Sequence, residues 1–277
     1  MIFRKKPTQH PDVTALLSDI ESGDFDDVKR KIKNHSYLIN VQTKDGMTPL
    51  KVAAHHGHLD IVKFLVKQGA EVYSHPFNSY PAVMDAAWQG HQHVVDYFLR
   101  EIPDKAAGTN KLGVAINLAA RQGWIYIVEK HIEYDPLAVH QRGWIGDTPL
   151  HWSCHNNYAD IVNLLLDNGA DIEADEINWI GGKPLHWASE HAPDTTRILL
   201  DRGAKVNTFN EKKDSRCYKR TPLIHNAGQG EDCSEITQML LDAGAETHHK
   251  EVEGLTALDL AKKQGNDQII RQLTKTS

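Results

Sequence analysis

Seventeen histidines are the residues of this 277-residue chain most able to do chemistry. Imidazole titrates near neutral pH and ligates transition metals, so such a content raises acid–base catalysis and metal binding first. Spacing argues against both for most of them. His55-His56 and His248-His249 are consecutive, and neighbours on a helix point apart, so neither pair chelates alone. His58 and His91 each follow a glycine, Gly57 and Gly90, at what reads as a turn between helices. The chain holds no H-E-x-x-H, no G-x-S-x-G elbow and no glycine-rich phosphate loop. Gly181-Gly182 precedes a Pro-Leu-His phrase and reads as turn geometry. The three cysteines, Cys154, Cys217 and Cys233, are odd in number and match no zinc spacing. The expectation is therefore no catalytic residue, no metal ligand and no cofactor.

The elements that position these residues recur. Thr148-Pro149-Leu150-His151-Trp152-Ser153 returns as Lys183-Pro184-Leu185-His186-Trp187-Ala188. Weaker copies begin at Thr48, Pro81, Val114, Thr221 and Thr256, at steps of 33, 33, 34, 35, 38 and 35 residues along the chain. A second phrase runs in phase. Asp60-Ile61-Val62 through Gly69-Ala70 is echoed by Asp160-Ile161-Val162 through Gly169-Ala170, and again around Gly203 and Gly244. Threonine before proline starts a helix, because the hydroxyl caps it and proline has no N–H to leave unsatisfied. Small Ala-Ala pairs admit a close neighbour. An amphipathic segment follows, with Ile61, Val62, Phe64 and Leu65 on one broad face. Gly69, Gly169, Gly203 and Gly244 then stop it. One such pair cannot bury its apolar face alone, whereas stacked pairs share a continuous core.

With two phased motifs of this period, the chain resembles the ankyrin repeat family over roughly residues 12–275. The fold expected is all-α, a solenoid of helix-turn-helix units joined by long turn-forming fingers. Residues 1–10 are read as a flexible tail and 11–277 as a single repeat domain. Within it, about 12–40 form an N-terminal cap pair, about 45–250 six repeats and about 254–277 a C-terminal cap pair. Lys262, Lys263, Gln268, Arg271 and Gln272 supply the polar outer face that a terminal repeat needs. The Thr-Pro pair is lost in the copies at Pro81 and Val114, which should loosen those turns. Cys154 stands at an alanine position and reads as a small buried hydrophobe.

The resemblance implies that His151 and His186 are structural, bonded to neighbouring turns, and that partners dock on the fingers and first helices. The matching positions include Phe77, Tyr80 and Trp88 in the second unit and Arg121 in the third. They continue with Trp144, Ile145, Asp147 and His155, then Trp179, Ile180, Glu190 and His191, and finally Tyr218 and Arg220. Aromatic residues make up only 7% of the chain, yet several fall here. Tryptophan and tyrosine bury much area with few rotatable bonds, which favours them in interfaces. Trp144-Ile145 and Trp179-Ile180 recur in consecutive fingers, either to bind a partner or to pack finger against finger. Trp152 and Trp187 lie inside the signature and read as core, and Trp124 as structural. The finger from Gly203 to Thr221 is long, and its residues 211–220 carry a local charge of +3 from Lys212, Lys213, Arg216, Lys219 and Arg220 against Glu211 and Asp214. It is either a docking site for an acidic partner or a solvated loop.

The net charge of −6 argues against a general nucleic-acid binder. No apolar run approaches the roughly 18 residues of a membrane span. The start of the chain has basic residues with no apolar stretch after them and does not read as a secretory signal. The resulting expectation is a cytoplasmic, monomeric, non-enzymatic module that binds a protein, as an adaptor, an effector delivered into a host cytosol, or an inhibitor. The alternative is a metal-binding or enzymatic protein using histidine-rich fingers. That reading requires histidines from separate repeats to converge.

Overall fold

A computed structural model describes residues 11–43, 45–72, 81–102, 114–179, 181–215, 217–230 and 233–275. The expected tail 1–10 and the candidate residues Phe77, Tyr80, Ile180 and Arg216 lie outside the described residues. The chain folds as two compact units, Met1–Ala115 and Ile116–Ser277.

Among its described residues the first unit holds three α-helix pairs, α1 (Pro11–Ser22) with α2 (Phe25–Asn34), α3 (Pro49–His55) with α4 (Leu59–Lys67), and α5 (Ala82–Gln89) with α6 (Gln92–Glu101). The first members pack side by side, as do the second members. Thr48 caps α3, its hydroxyl accepting from the Lys51 amide at 3.3 Å, and Pro49 fills the first helical position. Ala53 and Ala54 are buried without residual exposure, which lets the flanking helices approach. On α4 the buried face is Ile61, Val62 and Leu65, each contributing about 1.5–3 kcal/mol by leaving water. Phe64 sits at its margin, edge-on to Phe25 at 5.6 Å between centroids. Where threonine is missing, Pro81 occupies the cap of α5 and offers no side-chain bond. The helix forms nonetheless, because Ala82, Val83, Met84, Ala86 and Ala87 are all buried.

The second unit opens within α7 (Val114–Gln122) and runs on into α8 (Ile125–Tyr134). It continues with α9 (Pro149–His155) and α10 (Ala159–Asp167), then α11 (Pro184–His191) and α12 (Pro193–Asp201). The last pairs are α13 (Pro222–Ala227) with α14 (Ser234–Asp242) and α15 (Ala257–Gln264) with α16 (Asp267–Lys275). An inner row, α9, α11, α13 and α15, packs against an outer row from α8 to α16. In both units the stops after the outer helices are left-handed: Gly69, Gly169, Gly203 and Gly244 have φ of 94°, 85°, 87° and 87°, a region that penalises any residue with a Cβ. The closing pair exposes Lys262, Lys263, Gln268 and Arg271. Gln272 instead turns inward, donating to the Ser234 carbonyl at 3.0 Å, so it stitches the cap to the repeat before it. Among the described residues there is no strand, and no helix is long and apolar enough to cross a membrane.

Candidate functional site in the second unit

Two histidines hold the fingers of this unit in place. The His151 Nδ1 accepts from the Thr148 amide at 3.1 Å, so the proton sits on Nε2, which donates to the Gly182 carbonyl at 3.1 Å. His186 repeats the arrangement one unit on, accepting from the Lys183 amide at 3.1 Å and donating to the Arg220 carbonyl at 3.0 Å. Each imidazole therefore closes the start of its own helix and fastens the next finger to it. Both rings are fully buried. Burial pushes the His151 pKa down to about 4, against opposing help from the Gly182 hydrogen bond, and takes His186 well below its ordinary value. The two are neutral structural staples, as the resemblance implied.

The fingers are ordered by buried acids. Asp147 is almost fully buried and accepts from the Trp152 indole Nε1 at 2.6 Å and from Asn117 Nδ2 at 3.1 Å. Glu176, also buried, accepts from the amides of Trp179 and Gly181. Successive fingers are joined through the backbone, Asn178 N–H donating to the Ile145 carbonyl at 2.8 Å. Gly146, at φ 80°, allows this approach: a Cβ there would stand 2.7 Å from Ile177 Cβ. Glu176 escaped the sequence reading. The signal available was an acid three residues before a Trp-x-Gly, which needs an acceptor to close its turn.

On this frame Trp144 is 68% exposed and Trp179 is 54% exposed. Trp179 still touches the unit, its ring 5.7 Å from Trp187 and perpendicular to it. Ile145 is half-buried against Trp187 and Cys217. The two signature tryptophans differ. Trp187 is core at 2% exposure, whereas Trp152 is half-buried, with the Arg121 guanidinium 4.2 Å from its ring centroid. The rings of Trp152 and Trp187 meet edge to face at 5.1 Å.

The helix ends beside these rings converge. His155 closes α9, and Glu190 and His191 close α11. The imidazoles of His155 and His191 lie 4.5 Å apart between centroids, nearly perpendicular. His155 Nδ1 is 3.7 Å from Glu190 Oε2. One ligating atom from each of His155, Glu190 and His191 falls within 4.8 Å of the others. The second Glu190 oxygen, Oε1, faces the buried His225 Nδ1 at 3.5 Å, and His225 Nε2 is 3.0 Å from Asn210 Nδ2. Burial, with His191 beside it, holds the His155 pKa below its ordinary value. Burial pushes the Glu190 carboxyl up, but the His225 hydrogen bond and charge outweigh it and leave it below the usual range. Burial likewise lowers His225, and hydrogen bonds to Cys217 and Glu190 overcome that and raise it.

The remaining candidates are scattered. Tyr218 is half-buried, with Lys219 Nζ 5.6 Å from its ring centroid. Arg220 turns its guanidinium towards the buried Glu251, Nε to Oε2 3.8 Å. In the basic finger Lys212 is folded back, donating to the Ile177 carbonyl at 3.3 Å. Trp88 belongs to the first unit, on α5, at 38% exposure. Trp124 caps α8 and is 40% exposed. Cys154, Cys217 and Cys233 are buried thiols, and burial raises the Cys154 pKa well above its ordinary value.

Comparison with known proteins agrees with this architecture. A profile of ankyrin repeats (three copies) matches residues 16–109 and 116–210. A probable E3 ubiquitin-protein ligase of Oryza sativa subsp. japonica is 27% identical over 189 residues, covering 57% of this chain and 38% of that protein. The ankyrin repeat protein nuc-2 of Neurospora crassa is 24% identical over 298 residues, covering 99% of this chain and 26% of that protein. The chain thus spans well under half the length of these relatives. Among solved structures, the human ASB11 ankyrin repeat domain superposes with a TM-score of 0.65 at 24% identity, over 83% of this chain and 98% of that one. The chain belongs to the ankyrin repeat family.

Proposed function

We propose that this protein is a non-enzymatic recognition module whose second unit binds a protein partner through its fingers and inner helix ends. The anchors are Trp144, Ile145 and Trp179, with Arg121, His155, Glu190, Tyr218 and Arg220 as the polar surround. Trp88 would serve a separate contact on the first unit, and Tyr80 and Ile180 complete the set read from sequence. The observation that carries this reading is the exposure of two large indoles on fingers whose backbones are pinned by Glu176, Asp147 and the His151 and His186 staples. A rigid display loses little conformational entropy on binding, so apolar area buried there converts efficiently into affinity. Ankyrin repeats are protein-interaction modules in general, which supports the class. A cytoplasmic adaptor, effector or inhibitor fits it equally.

The test compares the wild-type chain with Trp144→Ala/Trp179→Ala as immobilised baits in lysate of the source cell. Proteins retained by the wild type should be lost from the double variant at unchanged melting temperature. Retention of the same proteins by both baits would refute this assignment of the anchors.

A further inference from the structure

We propose that His155, Glu190 and His191 form a binding site for one zinc-class divalent metal ion, with three protein ligands and an open fourth position. A histidine site in this fold requires donors from separate repeats to converge, and the ends of α9 and α11 bring them together. Glu190 and His191 are consecutive and would not chelate by themselves. His155, delivered by the neighbouring inner helix, supplies the third donor, and the three ligating atoms lie within 4.8 Å of one another. Tetrahedral zinc with bonds of about 2.0–2.1 Å separates its ligands by about 3.3–3.4 Å. The His155–Glu190 separation of 3.7 Å already approaches that, and side-chain rotations alone would draw in the rest. Two imidazoles and one carboxylate are a donor set that suits zinc and its neighbours rather than calcium or magnesium, which take oxygen.

The surroundings are those of a supported site. Glu190 uses its two oxygens differently: Oε2 faces His155, while Oε1 faces His225, a fully buried ring itself positioned by the buried Asn210. A second layer of this kind fixes the carboxylate's orientation, and such partners tune metal affinity. His155 is also packed edge-on against the Trp187 ring at 5.8 Å. His191 is exposed and His155 and Glu190 half-buried, so an ion reaches the site from solvent.

The site shares His155 and Glu190 with the proposed docking surface, but ion binding does not require a protein partner and is tested separately. Zinc chloride is titrated into the full chain at pH 7.5 by calorimetry. One equivalent should bind with a dissociation constant of about 10 µM or tighter. His155→Ala and His191→Ala should each weaken it by about tenfold or more, the scale seen when a metal site loses support. His248→Ala/His249→Ala and His56→Ala/His93→Ala should each bind as the wild type does; loss of binding in either would assign the ion to surface histidines outside the site and overturn the proposal. Trp144→Ala/Trp179→Ala should also bind normally, so failure of the docking proposal would leave this one standing. Cobalt(II) gives a second readout: the visible band of a four-coordinate site should appear with the wild type and vanish in His155→Ala/His191→Ala. Helical circular dichroism checks that the variants fold. No binding tighter than about 100 µM, or equal affinity after loss of both histidines, overturns the proposal.

Discussion

The same helix positions are filled by opposite chemistry in the two units. Where α9 and α11 carry His151 and His186, α3 carries Lys51. Where the next position on α9 and α11 is Trp152 and Trp187, on α5 it is Asp85. The second unit thus buries neutral rings whose two nitrogens both find backbone partners. The first buries a lysine and an aspartate, each 5% exposed, whose charges attract across the α3–α5 contact. Burial pulls the Lys51 pKa down and Asp85 partly restores it, a sign that the lysine is held at a cost. A repeat backbone tolerates both solutions because small buried residues follow in either case, Ala53-Ala54 and Ala86-Ala87 in the first unit and Ser153-Cys154 and Ala188-Ser189 in the second. What differs is the fingers: an imidazole ties the next finger down, and an ammonium group does not reproduce that two-way bond. Exposed tryptophans on pinned fingers belong to the unit with the staples.

The largest test of this contrast removes the staples. His151→Ala/His186→Ala strands the Gly182 and Arg220 carbonyls and the Thr148 and Lys183 amides, and opens two voids. Each buried unsatisfied group costs about 1–3 kcal/mol, so the pair should lose on the order of 4 kcal/mol or more. Lys51→Met/Asp85→Leu removes both buried charges of the first unit together, which is commonly neutral or stabilising by about 1 kcal/mol or more. Urea melts followed by tryptophan fluorescence read the second unit preferentially, since Trp88 alone of the six tryptophans precedes residue 116. Equal and small losses from both double variants would erase the distinction drawn between the units.

Acid should separate the units next. His151 has a folded pKa of about 4 against about 6.5 unfolded. The unfolded chain therefore binds the proton first, and stability is full above about pH 6.5 and lost as pH falls towards 4. At about 1.4 kcal/mol per pKa unit, this histidine alone accounts for on the order of 3 kcal/mol. His186 acts in the same direction. His225 opposes them, since its pKa is raised and its contribution is present below its unfolded pKa and lost as pH rises through the folded one. At the same positions the first unit buries Lys51 and Met84 in place of the imidazoles, and burial lowers the Lys51 pKa against the opposing pull of Asp85. The second unit should melt progressively more easily from pH 6.5 to pH 4. In His151→Ala/His186→Ala that slope should flatten, and an unchanged slope would mean other groups govern it.

Much of this fold was legible because its signals are local and repeated. Thr48, Thr221 and Thr256 cap their helices as their place before Pro or Ala implied. The four stop glycines are left-handed, and Cys154 is a buried small residue. Trp187 is core as read, but Trp152 is only half so: its indole N–H is held by the buried Asp147, and Arg121 rather than a neighbouring helix covers its face. A repeat alignment ranks the two alike, and only their neighbours differ. The convergence of His155, Glu190 and His191 was less legible. His155 and Glu190 occupy the same repeat position one unit apart, and His191 is the next residue, so each could be placed at a helix end. Which way the rings turn depends on Trp187 and His225, which are set by packing that no local pattern encodes.

The smallest contrast is between two cation–ring contacts. Arg121 lies 4.2 Å from the Trp152 ring centroid in the second unit, and Lys63 lies 5.7 Å from Tyr97 in the first. Arginine presents a flat, weakly hydrated group that stacks on indole, whereas the lysine ammonium keeps its water and stands farther off. Such contacts are worth about 0.5–1 kcal/mol at exposed sites, and the closer arginine–indole pair should sit at the upper end. Arg121→Ala should therefore destabilise by about 0.5–1 kcal/mol and shift Trp152 emission by uncovering its face, while Lys63→Ala should fall below about 0.5 kcal/mol. Arg121→Lys discriminates the cause: if stacking rather than charge holds the indole, lysine should recover less than half of the loss. Full recovery by lysine would assign the contact to charge alone, and the covering of Trp152 would then say nothing particular about the second unit.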